Sequence, residues 1–429
     1  MTHCSYSYIY MSIFNKLFTD KKANPNRNRF LILDMGGGFL KGGILEIEKK
    51  EVYSGKILGF MKERREAFLG DIREEFAYEE LKDNLQRLFS SLRTFVDDDL
   101  PSKTIFCFDQ PFSGIKRLLI KEYRQKPKNR IDVAELKNIF QHAYDSAKAT
   151  MNKNRMNTDF KIFDVHIQEI LIDGYKVVNP VGFEGREIAF DIVISYLPQT
   201  NFEIVKKLCM DLNLEVSTVY NDIFCVFNSQ ARSERSNKDF LAIDFGSLIT
   251  QLFLVRRGMF INSNYFNIGA NSFVKKIKAE MNIGFSEAEE ILDKYSVKKI
   301  SEYAYKKIDK MMESEKILWQ NGVIIALEEM EEFGNFPQSI MMVGGGSKMP
   351  FIMDSLKKSK NYLKMFEDKN PPDEIPLVGS SSMIESSPSM DSNPVYFNIF
   401  SCALRFVMNL NNNEIERNFK RAFKLKDIA

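Results

Sequence analysis

The sequence predicts an α/β protein of two interleaved lobes, and three glycine-bearing turns carry that expectation. A short apolar run, Phe30 to Leu33, leads into Asp34-Met-Gly36-Gly37-Gly38 and a second strand-like stretch, Phe39 to Ile47. About two hundred residues later the theme returns: Leu241 to Phe245, holding Asp244, then Gly246 and Ser247, then strand-like Leu252 to Arg256. A third apolar run, Ile340 to Val343, ends in Gly344-Gly345-Gly346-Ser347. Strand, glycine turn and strand make a hairpin, which differs from the strand-to-helix entry of a Rossmann or Walker site. Two such hairpins at long spacing form an internal repeat.

The remaining elements follow in order. Residues 1–29 read as a tail in which Ile13, Phe14, Leu17 and Phe18 share a helical face flanked by Lys16, Lys21 and Lys22, suited either to a membrane surface or to docking on its own domain. Met11 offers a second start. Strands are expected at Val52 to Gly59 and Thr104 to Phe108, with a helix at Phe76 to Val96 between them. From Ile115 to Leu212 the chain reads as a small α+β unit: a helix at Ile131 to Lys148, opened by Asp132 and Glu135, strands at Phe163 to Ile172 and Arg186 to Tyr196, and a helix at Phe202 to Leu212. Helical stretches at Ala279 to Tyr305, Met311 to Phe333 and Val395 to Asn409 complete the body, with Ser-rich Gly379 to Asn393 as a flexible loop. Glu414 to Ile428 is a basic amphipathic tail.

Composition removes several classes. The 429 residues carry 60 Lys and Arg against 58 Asp and Glu, a net charge of +2, which excludes nucleic-acid binding through bulk charge. No run reaches the roughly 18 apolar residues of a membrane span, and the N-terminus has no cleavage pattern of a signal peptide. Cys4, Cys107, Cys209, Cys225 and Cys402 are scattered with no CxxC, so neither a zinc ribbon nor a disulfide framework is expected, and a reducing, cytoplasmic setting is. His3, His142 and His166 have no metal-binding spacing.

The hairpins suit a nucleotide clamp. Glycines let backbone N–H groups approach phosphate oxygens. Lys41 can reach terminal phosphates as a compact charge. Asp34 and Asp244 can hold a hydrated Mg²⁺ through its water shell. Gly344, Gly345 and Gly346 let backbone lie close to a base or ribose. Each turn alone is most simply a structural hairpin; three in this order, each after an apolar strand, are far more specific.

At this point the chain resembles the actin-like ATPase superfamily, which includes actin, sugar kinases, heat-shock ATPases, FtsA and PilM. Asp34 to Lys41 resembles its first phosphate motif, Asp244 to Thr250 the second, and Met342 to Ser347 the adenosine motif. Within it, Ile172-Asp173-Gly174 through Asn179-Pro180-Val181-Gly182-Phe183-Glu184-Gly185-Arg186, with Ile131 to Leu136 upstream, is similar to the bacterial division protein FtsA; Asn267-Ile-Gly269 and Ser286 to Glu289 resemble segments shared by FtsA and PilM. The resemblance implies an actin-like ATPase fold with two lobes on ribonuclease H-like mixed sheets: first lobe 30–105 and 201–240, FtsA-type inserted subdomain 106–200, second lobe 241–394 with a helical part near 266–335, closing helix 395–412 and tail 413–429. It implies ATP and Mg²⁺ bound by Asp34, Gly36, Gly37, Gly38, Lys41, Asp244, Gly246, Ser247, Thr250, Glu289, Gly344, Gly345, Gly346 and Ser347.

The departures bear on chemistry. Leu248 and Gln251 replace a glycine and the last aspartate of the second motif, so that hairpin is expected to be strained and reshaped. Asn221-Asp222 stand where Glu-Pro places the attacking water; Asn221 can orient water but is no base, and Asp222 substitutes if the register slips by one. Leu292 stands for a lysine near the adenosine. Nucleotide binding with weak hydrolysis is therefore expected. The implied role is an FtsA-like, filament-forming adaptor tethering the tubulin-like FtsZ to the inner face of the membrane, anchored by the terminal amphipathic helix; the alternative is a PilM-like type IV pilus scaffold binding a membrane partner's cytoplasmic tail. A small-molecule kinase is the third reading, and no substrate pocket in the sequence favours it.

Overall fold

The computed structural model describes residues 28–65, 74–97, 99–110, 112–153, 159–231, 238–366, 370, 372–377, 379, 381–386 and 393–411. The terminal helices expected at 11–18 and 414–428 lie outside these residues.

Phe30-Leu-Ile-Leu33 is apolar on consecutive positions because both faces of its strand are covered. This strand, β1 (Arg29–Met35), sends Leu31 and Leu33 to one face and Ile32 to the other. It pairs antiparallel with β2 (Phe39–Lys49), which pairs with β3 (Tyr53–Arg64). On its other side lie, in parallel, β4 (Lys103–Phe108) and then β9 (Glu215–Asn221). The second lobe repeats this. β10 (Phe240–Phe245) and β11 (Thr250–Arg256) form a hairpin, β12 (Met259–Phe266) continues it antiparallel, and β13 (Ser339–Val343) and β14 (Asp373–Ile375) add in parallel. The sheets thus share one order, β3-β2-β1-β4-β9 and β12-β11-β10-β13-β14. The first gains a further edge strand from the Ser-rich stretch expected as a loop: β15 (Ile384–Glu385) lies parallel on β3.

Two helices fill the space between the sheets, α4 (Asp222–Ala231) and α11 (Phe397–Leu410). Every residue from Phe397 to Met408 is buried. They share one core with Ile32 and Ile105 of the first sheet and Phe253 and Met341 of the second. The outer face of the first sheet is covered by α1 (Glu74–Leu92) and α3 (Gln199–Asp211). That of the second is covered by α5 (Ala270–Met281), α6 (Phe285–Ser296), α7 (Glu302–Met311), α8 (Glu313–Glu328) and α9 (Phe351–Lys358). The single helical stretch expected from Ala279 to Tyr305 is broken, because Asn282 takes the left-handed conformation (φ 51°) that ends α5.

The inserted unit is a four-stranded antiparallel sheet, β5 (Gly114–Tyr123), β8 (Glu187–Pro198), β6 (Phe160–Ile172) and β7 (Tyr175–Val177), in that order, backed by α2 (Val133–Lys153). The Asn179 to Arg186 stretch folds against the start of α2: Ile131 N–H donates to the Phe183 carbonyl at 2.9 Å, and Gly182 N–H to the Ile131 carbonyl at 2.8 Å. A buried ion pair ties this unit to the interlobe helices. Arg405 of α11 donates to Asp164 of β6 at 2.7 Å and to Asn228 of α4 at 2.9 Å, and its guanidinium lies 5.0 Å over the Phe224 ring. Gln168 reaches the second lobe, its side-chain amide accepting from Phe260 N–H at 2.7 Å and donating to the Phe260 carbonyl at 3.0 Å.

Scattered in sequence, Cys107 of β4, Cys225 of α4 and Cys402 of α11 converge in the shared core, their sulfurs within 4.8 Å of one another. Mutual hydrogen bonding and burial push the Cys107 thiol up, and burial does the same for Cys225 and Cys402. They act as small apolar packing groups. Among the described residues no helix is long and apolar enough to cross a membrane.

Candidate nucleotide cleft

The two glycine hairpins have matching geometry. In each, four residues separate the last cross-strand pair, Gly36 to Phe39 and Gly246 to Ile249, with the carbonyl of the fourth 3.0 Å from where a Cβ on the first glycine would lie. Asp34 is directly opposite Lys41 in the first hairpin, and Asp244 directly opposite Gln251 in the second. The seven-residue spacing is therefore a cross-strand pairing, and Gln251 occupies the position equivalent to Lys41. The second hairpin sits on the N-terminus of α5, where Ala270 and Asn271 N–H groups each donate at 2.9 Å to the Gly246 and Ser247 carbonyls. Leu248 has no positive φ, so the expected strain at that residue is not found.

Between the lobes lies a cavity of about 690 Å³. Asp34, Gly36, Gly37, Gly38, Lys41, Asp222, Asp244, Gly246, Ser247, Glu289, Gly344, Gly345 and Gly346 all line it. Three expected residues stand outside its lining. Asn221 caps α4: its side-chain oxygen accepts from Phe224 N–H at 3.2 Å and its amide donates to Ser113 at 2.9 Å. Thr250 is buried, donating to the Ile268 carbonyl at 2.7 Å and accepting from Trp319 at 3.0 Å. Ser347 folds back to donate to the Gly344 carbonyl at 2.6 Å. Asp222 lines the cleft in place of Asn221. Its carboxylate accepts from Ile223 N–H at 2.7 Å and from Gln251 at 3.0 Å.

Gly344 has φ 81°, and a Cβ there would meet Asp244 and the Phe245 carbonyl, so the residue must be glycine. At Gly345 by contrast a Cβ would make only ordinary van der Waals contact, with Val395 at 3.8 Å, which leaves a ligand room to approach. Asn398, at the start of α11, lines the cavity with its side-chain oxygen buried and without a hydrogen-bond partner. A buried acceptor of this kind needs a donor.

Sequence reasoning missed Asp109 and Arg65. Asp109 follows β4 and accepts from Gly37 N–H at 3.2 Å, while Arg65, just past β3, donates to the Gly36 carbonyl at 3.3 Å. Nor was Arg64 foreseen. It reaches across the cleft to Glu289 at 2.9 Å and Ser286 at 3.0 Å, over the Phe285 ring at 4.5 Å. Lys62 and Lys348 also line the opening.

Asp34, Asp109, Asp222 and Asp244 thus crowd together in the cleft. Burial, then the nearby Asp34 charge, pushes Asp109 up to about 7. Burial pushes Asp244 up to about 6 against the pull of Lys41, and pushes Asp222 well above the usual carboxylate range, with Asp244 and Asp109 adding to it. Burial opposes the charge on Lys41, but its 2.5 Å bond to Asp34, together with Asp244 and Asp222, outweighs this and raises the amine. A divalent cation relieves such crowding, and a donor set of carboxylates alone suits Mg²⁺.

With folded-state values raised, the native chain holds protons that the unfolded chain has lost, so the penalty grows as pH rises through about 6 to 7. Urea unfolding of the metal-free protein should therefore show this site's contribution weakening between about pH 4 and pH 7. Asp109→Asn should flatten that slope; an unchanged slope would place the raised acid elsewhere.

Neither a protein-family model nor a curated protein sequence matches the chain. Solved structures do. The type IV pilus biogenesis complex PilM–PilN aligns at 14% identity over 88% of this chain and 98% of that one, with a TM-score of 0.61. The ethanolamine utilization protein EutJ from Carboxydothermus hydrogenoformans aligns at 10% identity over 93% and 99%, with a TM-score of 0.43. MreB 5 of Spiroplasma citri, solved with AMPPNP, aligns at 11% identity over 90% and 97%, with a TM-score of 0.40. With its repeated strand order, its paired hairpins facing one cleft and its match to PilM over nearly that whole chain, this protein has the actin-like ATPase fold.

Proposed function

We propose that the protein binds an adenine nucleotide with Mg²⁺ in the interlobe cleft and works as a nucleotide-gated scaffold with weak or no ATPase activity. The observation that carries this is the facing pair of matched glycine hairpins around a cavity lined by Asp34, Asp109, Asp222, Asp244 and Lys41. Asp34 and Asp244 would hold the hydrated cation, with Asp222 beside them. Bound there, Mg²⁺ would neutralise charge on the phosphate oxygens. Lys41 contributes a fixed positive charge, and the hairpins contribute backbone N–H groups. Gly345 and Asn398 give room and an acceptor to the nucleoside end.

Weak turnover is argued from Asp222 and Gln251. The side chain placed to orient water has both carboxylate oxygens engaged, one of them by Gln251, and Asn221 is spent on capping a helix. Asp34→Ala should abolish binding of ATP and Mg²⁺ by calorimetry while the melting curve stays cooperative. Wild-type ATP hydrolysis faster than about 1 s⁻¹ would contradict the scaffold reading.

For its cellular role, the FtsA-like reading is a filament-forming adaptor holding FtsZ at the inner face of the membrane through the tail at 414–428. The docking of Asn179 to Arg186 on the start of α2 favours it, since these are the two segments resembling FtsA. The PilM-like reading is a cytoplasmic scaffold for the tail of a membrane partner, favoured by the PilM–PilN match. Pull-down with FtsZ against a pilus partner's tail peptide separates them: retention of FtsZ alone supports the first, and of the peptide alone the second.

A further inference from the structure

We propose that the cleft selects a nucleoside diphosphate over a triphosphate, because Leu248 and Asp109 occupy the space and the donor that a third phosphate needs between the hairpin tips. This rests on the nucleotide reading above and specifies its ligand.

The tips of the two hairpins touch. The position of a Cβ on Gly37 is 2.6 Å from Leu248 Cδ1 and 2.9 Å from Leu248 Cγ, so the leucine side chain lies flat on the Gly37 backbone. Beside it, a Cβ on Gly38 would collide with Ser247. The two loops thus interlock, glycine against side chain, at two successive positions. Leu248 itself has ordinary backbone geometry, so no strain drives the contact apart. Its side chain carries no donor or acceptor, and a phosphoryl oxygen pressed against it would lose hydration without a replacement bond.

The chemistry of the Gly37 N–H points the same way. Among loop amides, it is this one that donates to Asp109 Oδ2, at 3.2 Å. A carboxylate accepting from a turn amide satisfies it much as a phosphate oxygen would. Arg65 fixes the loop from behind, donating through its side chain to the Gly36 carbonyl and through its backbone to the Gly38 carbonyl at 3.0 Å. A terminal phosphate would have to displace the Asp109 carboxyl from the Gly37 N–H and bring further negative charge into a buried place beside Asp34, which is unfavourable. Two phosphates need not reach the tips. Lys41, Lys62 and Lys348 offer positive charge elsewhere along the cavity, and Gly345 leaves its backbone open.

Calorimetry on the full-length protein with excess Mg²⁺, using ADP and the non-hydrolysable triphosphate AMPPNP, tests this. Wild type should bind ADP at least about tenfold more tightly. Leu248→Gly opens the space, and Asp109→Ala frees the Gly37 amide; each should narrow the preference, and the double variant should bind AMPPNP at least as well as ADP. Circular dichroism melts on each variant establish that it is folded. Equal or tighter AMPPNP binding by wild type overturns the proposal and leaves the nucleotide reading intact. An undiminished preference in the folded double variant also overturns it. Binding of neither nucleotide to wild type overturns the nucleotide reading together with it.

Discussion

Arg405→Ala lowers the stability of the folded chain by about 3–5 kcal/mol, the usual cost of removing one member of a buried ion pair. Arg405 and Asp164 are 1% and 3% exposed and 2.7 Å apart, so the pair is shielded from bulk solvent. Asn228 loses its guanidinium partner at the same time. The pair joins three pieces that meet nowhere near each other in sequence: the inserted unit, α4 and α11. Urea unfolding measures the effect. Replacing both members by apolar residues, Arg405→Met with Asp164→Leu, should recover most of the loss, because isosteric apolar pairs replace buried ion pairs at little cost. A double variant as unstable as the single one would mean that the pair contributes packing geometry that methionine and leucine do not reproduce.

Gly344→Ala is expected to be the most damaging single methyl addition near the cleft. At φ 81° an L-residue costs about 1–3 kcal/mol from backbone strain alone. The new methyl would also meet Asp244 and sit 2.5 Å from the Phe245 carbonyl, both parts of the second hairpin. Those atoms have little freedom, since Phe245 stacks on Trp319 at 5.0 Å and Asp244 lies in the sheet beside β13. The variant should lose stability and nucleotide affinity together. Gly345→Ala, whose methyl makes only an ordinary contact with Val395, should keep its stability and report on the ligand alone. Equal melting temperatures for wild type and Gly344→Ala would refute the assigned contact.

The hairpins were legible because their chemistry is local. Asp and a residue seven positions on are direct cross-strand neighbours, so one line of sequence contains the whole pairing. Apolar runs that are continuous, rather than alternating, marked strands buried on both faces, as in Leu31 to Leu33. β5 escaped notice because Lys116 and Arg117 interrupt its apolar pattern at one sheet edge. β9 escaped because its incompletely buried start, Glu215 to Ser217, hides the buried Thr218 to Asn221. Asp109 and Arg65 belong to no motif, and each acts on a glycine turn reached only through the sheet. The thiol cluster is long-range in the same sense: the chain between Cys107, Cys225 and Cys402 crosses between lobes twice. For Asn221 and Asp222 the sequence left two registers open, and the cap geometry separates them, one residue closing the helix and the next turning to the cleft.

The order in which the chain builds its core has a consequence for synthesis. The first lobe's sheet has five of its six strands by Asn221, yet the helix that covers its inner face ends at Leu410, about 190 residues later. At roughly 5–20 residues per second, a ribosome takes about 10–40 s to make that stretch. For that time the nascent sheet has only α4 over this apolar face, which includes Ile32 and Ile105, and lacks α11. Chaperone dependence during translation, relieved once residue 410 has left the exit tunnel, is the expected signature.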